Sequence, residues 1–236
     1  MNYKNSMQSI AFIILLSVSF LSCNKGDVTP DNETGTLIDI DGNKYNTVKI
    51  GKQVWMAENL KTTKYNNGDI IPIVESGNDW SLLSDAGMCQ YANSESMFDI
   101  FGGLYNGYVI IDERNVCPNG WHVPTNEEWL EMEEFLGGSD IAGGKLKQAG
   151  TEHWQSPNTG ADNSSGFTAL PGTSREAGGS WDESGTGYTA LFWTSTKFEN
   201  AYESGLLSKD IYYEEIDVLT GGDEINRGCS VRCIKD

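Results

Sequence analysis

Two cysteines four residues apart near the C-terminus, Cys229 and Cys233, constrain this chain more than any other feature. The stretch from Ile225 to Lys235 predicts a terminal strand. Cys229, Val231 and Cys233 would face one side of it, with Ser230 and Arg232 on the other. At about 3.3 Å per residue the two cysteines would lie roughly 13 Å apart. A disulfide needs Cα atoms within about 7 Å, so they cannot bond to each other. Beyond residue 36 the other cysteines are Cys89 and Cys117. Each late cysteine must therefore reach far back along the chain, and geometry leaves both cross-pairings open.

Disulfides require an oxidising compartment, and the N-terminus supplies the route to one. Lys4 precedes an apolar run from Ile10 to Leu16, and the segment closes on Leu21-Ser22-Cys23. A basic start, a short apolar run and small residues before a cut form a secretion signal. The run is too short for a stable membrane span. A cysteine directly after Leu-Ser resembles a lipobox, with Phe20 standing where Leu is usual. Residues 1–22 are thus expected to be a lipoprotein signal peptide and Cys23 the lipid attachment point. Residues 23–36 are expected to be a flexible tether, polar and broken by Gly26, Pro30 and Gly35. Residues 37–236 suit one domain. The expected location is the cell envelope, at the outer membrane or cell surface, with the membrane engaged through the lipid.

Charge excludes one class of partner. The chain carries 16 Lys+Arg against 34 Asp+Glu, a net of −18, and has no basic stripe. Binding phosphate backbones needs counter-charge, so no nucleic-acid partner is expected. The acidity favours cations or neutral sugars over anions, and also serves solubility.

Local signals give a coarse map. Lys44 to Ile50 and Gln53 to Ala57 read as strands, joined by a two-residue turn at Gly51-Lys52. Asp79 to Ser84 and Ser94 to Phe101 read as short helical turns, and Leu104 to Ile111 as extended. The clearest helix is Asn126 to Leu136. Thr125 and Glu128 form a capping box, and Glu127 and Glu128 suit the positive end of the dipole. Trp129, Met132, Phe135 and Leu136 are expected on its apolar face, and Gly137-Gly138 ends it. Ser139 to Gln148 is a second helix, weakened by Gly143-Gly144. Gly150 to Gly187 is a long loop-rich stretch. Tyr188 to Thr196, Ser208 to Val218 and Ile225 to Lys235 close the chain as strands.

Several of these segments, in order, resemble the Fibrobacter succinogenes major paralogous domain family of exported bacterial proteins. They are Asp41-Gly42-Asn43-Lys44-Tyr45, Thr47 to Gly51, Gln53-Val54-Trp55-Met56-Ala57-Glu58-Asn59-Leu60-Lys61-Thr62, and Cys117-Pro118-Asn119-Gly120-Trp121-His122-Val123-Pro124-Thr125 with Glu128-Trp129. Further on come Gly143 to Lys147, His153-Trp154, Ser156 to Ala161, Gly166 to Gly172, Phe192 to Thr196, and Ser230-Val231-Arg232-Cys233. The resemblance implies an α+β, C-type-lectin-like fold: a twisted antiparallel sheet, one or two short helices and a long loop region. It is more distantly similar to formylglycine-generating, sulfatase-modifying enzymes. It also chooses between the pairings. Cys117 and Cys233 lie in the clearest matches, which implies Cys117–Cys233 as the shared staple. Cys229 stands where relatives commonly carry a large apolar residue, which implies a local Cys89–Cys229 bridge.

The chemistry on offer is that of binding. His122 and His153 lack partners at metal-ligand spacing, so no metal centre is expected, and no Gly-x-Ser-x-Gly or phosphate loop occurs. The sulfatase-modifying relatives use a late cysteine pair; Cys229 and Cys233 are too far apart for that role, so no catalytic residue is expected. The loop region combines aromatic and polar side chains at Trp154, Asn158, Asp162, Asn163, Arg175, Glu176, Trp181 and Asp182. Aromatic faces stack on sugars while carboxylates and amides bond hydroxyls. The alternative is that the tryptophans staple the loop and Arg175 pairs with an acidic neighbour. Asn158, Thr159, Asp162 and Asn163 offer oxygens to Ca²⁺, although Ser156-Pro157-Asn158 lacks the carboxylate of a lectin calcium motif. The expectation is a non-catalytic lectin-like module for a glycan or a surface protein, with no cofactor beyond a possible Ca²⁺. The alternatives are a divergent sulfatase-modifying-type enzyme and a structural or adhesion component of the envelope.

Overall fold

The computed structural model describes residues 34–182, 185–199 and 204–236. The expected leader, Cys23 and nearly all of the tether lie outside them. The strands are β1 (Thr34–Ile38), β2 (Lys44–Ile50), β3 (Gln53–Met56), β4 (Met88–Gln90), β5 (Gly103–Asn106), β6 (Trp121–His122), β7 (Thr189–Glu199), β8 (Ser204–Tyr212), β9 (Leu219–Glu224), β10 (Gly228–Cys229) and β11 (Ile234–Lys235). The helices are α1 (Gly77–Ser81), α2 (Glu95–Phe101), α3 (Gly107–Ile110), α4 (Asn126–Phe135) and α5 (Ser139–Leu146). The fold is thus mixed helix and sheet. Among the described residues no helix is long and apolar enough to cross a membrane.

Three antiparallel sheets run β1-β2-β3-β11-β6, β10-β5-β4 and β7-β8-β9. The β2–β3 hairpin closes as its turn residues dictate: Ile50 faces Gln53, and Gly51 takes φ +62°, a value that L side chains disfavour. β7 is the wall between the two main cores. Leu191 and Trp193 pack with Tyr45, Met56, Tyr105 and Val231, while Ala190 and Phe192 pack with Trp55, Trp129, Trp154 and Phe167. Successive residues of a strand point to opposite faces, so one apolar run serves both cores.

The helical region follows its local signals. Thr125 Oγ1 accepts the Glu128 N–H at 3.2 Å, and Glu128 Oε2 accepts the Thr125 N–H at 2.7 Å. Trp129, Met132 and Leu136 are buried; Phe135 is 53 % exposed and covers the Gly51 turn instead. At about 100° per residue it falls at the rim of the arc the other three share. The Gly143-Gly144 pair has a packing reason. A Cβ on Gly143 would lie 2.0 Å from the Asp217 carbonyl oxygen, and one on Gly144 would lie 2.6 Å from that of Gly160.

Three expectations need correction. First, Leu104 to Ile111 is not one extended run. β5 ends at Asn106, whose side chain accepts the Val109 N–H at 3.3 Å and caps α3. Second, the predicted strands over 208–218 and 225–235 are redrawn. β8 stops at Tyr212, and β9 forms through Thr220-Gly221-Gly222, a stretch outside every strand expected from the sequence. The terminal segment splits into β10 beside β5 and β11 between β3 and β6. It is also buried on both sides: Ser230 and Arg232 are as enclosed as Cys229, Val231 and Cys233. Arg232 donates to Asn59 Oδ1 at 2.6 Å, to the Met56 carbonyl at 3.2 Å, to that of Thr168 at 2.9 Å and to that of Phe167. Burial pulls its pKa down to about 9.

Third, the cysteines divide. Cys117 and Cys233 form a disulfide, with Cα atoms 5.9 Å apart. Cys89 and Cys229 are buried free thiols, not a bridge. Cys89 stands opposite Leu104 and Cys229 opposite Tyr105. Those neighbours on β5 point to opposite faces, so the thiols lie on opposite sides of the sheet. Cys89 packs with Trp80 and Leu104; Cys229 packs with Tyr105 and Val231.

Candidate functional site

The loop residues singled out from sequence separate into two groups. Trp154, Asn158, Asp162 and Asn163 hold the loop itself. Trp154 is 2 % exposed, and its indole N–H donates to the Ala169 carbonyl at 3.0 Å. Asn158 is buried and donates to the carbonyls of Gln148 and Gly150 at 2.9 and 2.6 Å. Asn163 exchanges two hydrogen bonds with Thr168, and Asp162 Oδ1 accepts the Ser164 N–H at 2.8 Å. A cation is already seated beside this group. The Lys147 ammonium donates to the carbonyls of Thr159, Tyr212 and Glu215 at 2.9, 3.0 and 2.6 Å, and burial brings its pKa down to about 8. Among the described residues, no group of three or more His, Cys, Asp or Glu could hold a metal ion.

Of the second group, Arg175 is also a staple. It lies between Trp80 and Trp181, 4.9 and 4.7 Å from their ring centres. It donates to the carbonyls of Gly179, Val74 and Glu75 at 3.2, 2.7 and 2.8 Å. Backbone oxygens, rather than the acidic neighbour of the alternative reading, receive these hydrogen bonds. Trp181 is half-buried against Tyr91. Glu176 and Asp182 turn instead to Arg227, a residue that sequence reasoning missed. Glu176 Oε1 lies 2.9 Å and Asp182 Oδ2 3.9 Å from its Nη2. Arg227 also donates to Ser174 Oγ at 3.0 Å and to Asp223.

Arg227 forms one wall of a cavity of about 300 Å³, with Asp182, Tyr188, Asp210, Tyr212 and Tyr213 around it. Sheet register builds this lining. Ser208, Asp210 and Tyr212 share one face of β8, and the Lys147 ammonium fixes the chain that follows. Tyr188 and Tyr213 meet edge to face, with ring centres 5.2 Å apart. Burial raises the Asp210 carboxyl to about 6, against the hydrogen bond from Ser208 that favours the ionised form. The signal in sequence was the alternation Ser208, Asp210, Tyr212 ahead of Tyr213, but its partners come from distant segments. A second cavity of about 170 Å³ also includes Arg227, together with Glu176, Ala177, Asp223 and Glu224.

The histidines and late cysteines lie elsewhere. His122 Nδ1 is 2.7 Å from Asp236 Oδ1 and its Nε2 2.9 Å from Glu128 Oε1, so it ties the C-terminal residue to the start of α4. His153 bonds Gln148 at 2.8 Å and packs on Phe101. Cys233 is held in its disulfide and Cys229 is fully buried, so the two do not form a free thiol pair.

No curated protein and no solved structure matches the chain. A family model described as the Fibrobacter succinogenes major domain matches residues 48–235, most of the chain and nearly all of the folded part described above. The protein belongs to the Fibrobacter succinogenes major domain family.

Proposed function

We propose that this protein is an exported lipoprotein, anchored at the cell envelope through Cys23, whose domain is a non-catalytic glycan-binding module. The observation that carries the binding reading is the Arg227 cleft. Three tyrosines, two carboxylates and a guanidinium converge on one concave space of about 300 Å³. Aromatic faces pack on sugar rings, and fixed polar groups at the edge orient hydroxyls. The domain's lectin-like character draws support from antiparallel sheets beside short helices, a long irregular stretch and the staple from Cys117 to the last strand. A concave cleft of this size favours a sugar over a flat protein surface. The net charge of −18 weighs against nucleic acid. A sulfatase-modifying reading gains nothing from the cysteines, because Cys233 is held in its disulfide and the other free thiol, Cys89, lies across the sheet from Cys229.

Two measurements test the proposal. Full chain in detergent, applied to an array of neutral and acidic glycans, is expected to retain neutral ones. Retention of none would end the glycan reading. Mass spectrometry of protein recovered from membranes is expected to find lipid on an N-terminal Cys23. An N-terminus upstream of Cys23 would remove the anchor.

A further inference from the structure

We propose that the cleft accommodates at least two linked sugar rings, one on each side of Arg227, and selects neutral or amino-substituted chains over acidic ones. This rests on the glycan reading above and gives it a length and a charge. Ligand pockets usually enclose about 300–1,000 Å³. The cavity beside Tyr212, at about 300 Å³, is at the low end of that range. The one beside Ala177, at about 170 Å³, is too small to be a site alone. Arg227 lines both, so the two cavities flank one guanidinium.

That guanidinium is held in place. Ser174 and Glu176 hold Arg227 from the loop, and Asp223 holds it from β9. Gly221 and Gly222 follow one another on β9 and face opposite sides of its sheet. A Cβ on Gly221 would stand 2.7 Å from Ser208 Oγ and 3.2 Å from Asp210 Oδ2, and one on Gly222 would stand 3.0 Å from the Phe198 ring. Glycine inside a strand marks a place where something approaches the backbone closely; here Ser208 Oγ does so on one face of β9 and the Phe198 ring on the other. Charge sets the selection. Glu176, Asp182, Asp210 and Asp223 face one arginine, and like charges brought together suppress the wrong ligand. A uronate or other acidic sugar would meet that repulsion, whereas hydroxyls and ammonium groups find acceptors.

Calorimetric titration of the full chain in detergent tests this, with glucose and N-acetylglucosamine oligomers of one, two and three rings and a glucuronate-containing oligomer as probes. Affinity for a neutral oligomer is expected to rise about tenfold from one ring to two, equivalent to one decade in Kd, and the acidic oligomer is expected to bind more weakly. Ala177→Trp fills the smaller cavity from a half-exposed position outside the larger one. It is expected to abolish the length gain while leaving one-ring affinity and thermal stability unchanged. Equal affinity for one and two rings, a length gain that survives Ala177→Trp, or tighter binding of the acidic oligomer would each overturn the two-ring proposal and leave the glycan reading standing. Failure of every neutral oligomer at every length would overturn both.

Discussion

The region from Thr125 to Leu146 and the stretch from Gly150 to Gly187 are held by opposite means. The first is helix: a capping box closes its start, Gly137-Gly138 separates its two segments, and Trp129, Met132 and Leu146 pack it into the core. Among its described residues the second has almost no regular structure, so its backbone lacks ladders to satisfy it. Scattered backbone pairs and side chains supply the partners instead. Lys147, Arg175 and Arg232 each direct donors to several backbone carbonyls. Trp154 and Asn158 donate to backbone carbonyls with neutral groups, and Asn163 Oδ1 accepts the Thr168 N–H. Buried backbone oxygens need donors wherever no helix or sheet provides them, and a long cationic side chain reaches several at once. The difference teaches that Asn, Arg and Trp in a loop need not mark a binding surface; such residues also stand in for missing secondary structure.

The largest expected effect lies on the helical side. Trp129→Ala removes a fully buried ring in contact with Trp55, Phe167 and Phe192 and is expected to cost about 3–5 kcal/mol, read by chemical denaturation. Next comes the irregular side. Arg232→Met keeps the volume but leaves Asn59 and three carbonyls without their donor, at an expected cost of about 3 kcal/mol. Relief of burying a charge offsets part of the loss. If Arg232→Met proves neutral, the contrast between the two regions fails. Thr125→Ala, which removes one cap acceptor, is expected to cost about 1 kcal/mol. A cost equal to that of Trp129→Ala would mean the helix depends on its end rather than on its packed face.

How much of this was legible in the sequence follows the same divide. The hairpin at Gly51, the capping box and the stop at Gly137-Gly138 were read correctly because each depends on residues within a few positions of one another. The Cys117–Cys233 bridge came from family resemblance. The Cys89–Cys229 bridge did not hold, because which face of β5 each neighbour meets is a matter of register. For the same reason the terminal strand was drawn too long: local alternation hid the break that lets it serve two sheets. The loop aromatics and amides were found, but their roles were not. Nothing near Arg175 says that its hydrogen bonds go to the backbone, nor that Arg227 would collect Glu176 and Asp182. That site draws on residues 174–182, 208–213 and 223–227, which the β8–β9 register and the Arg175–Gly228 bridge bring together.

A smaller effect concerns pH. Burial opposes protonation of His122, yet its hydrogen bonds to Asp236 and Glu128 leave its pKa above the ordinary value of 6.5. A raised histidine contributes stability in full below its unfolded pKa, and the contribution fades as pH rises through the folded value. Wild type is therefore expected to lose a little stability as pH rises from about 6 toward 8, and His122→Gln is expected to flatten that slope. An unchanged slope would show that the C-terminal residue is not held through this imidazole.

The most direct test of the separation between staples and site is a paired measurement on Asn158→Ala and Tyr212→Ala, each examined for thermal stability and for affinity toward a neutral two-ring oligosaccharide. Asn158 donates to two loop carbonyls, and Tyr212 lines the cleft with 37 % of its surface exposed. Asn158→Ala is expected to lower the melting temperature and leave affinity unchanged. Tyr212→Ala is expected to lower affinity about tenfold or more and leave the melting temperature unchanged. The reverse pattern, or a Tyr212→Ala protein that binds as wild type does, would contradict the account.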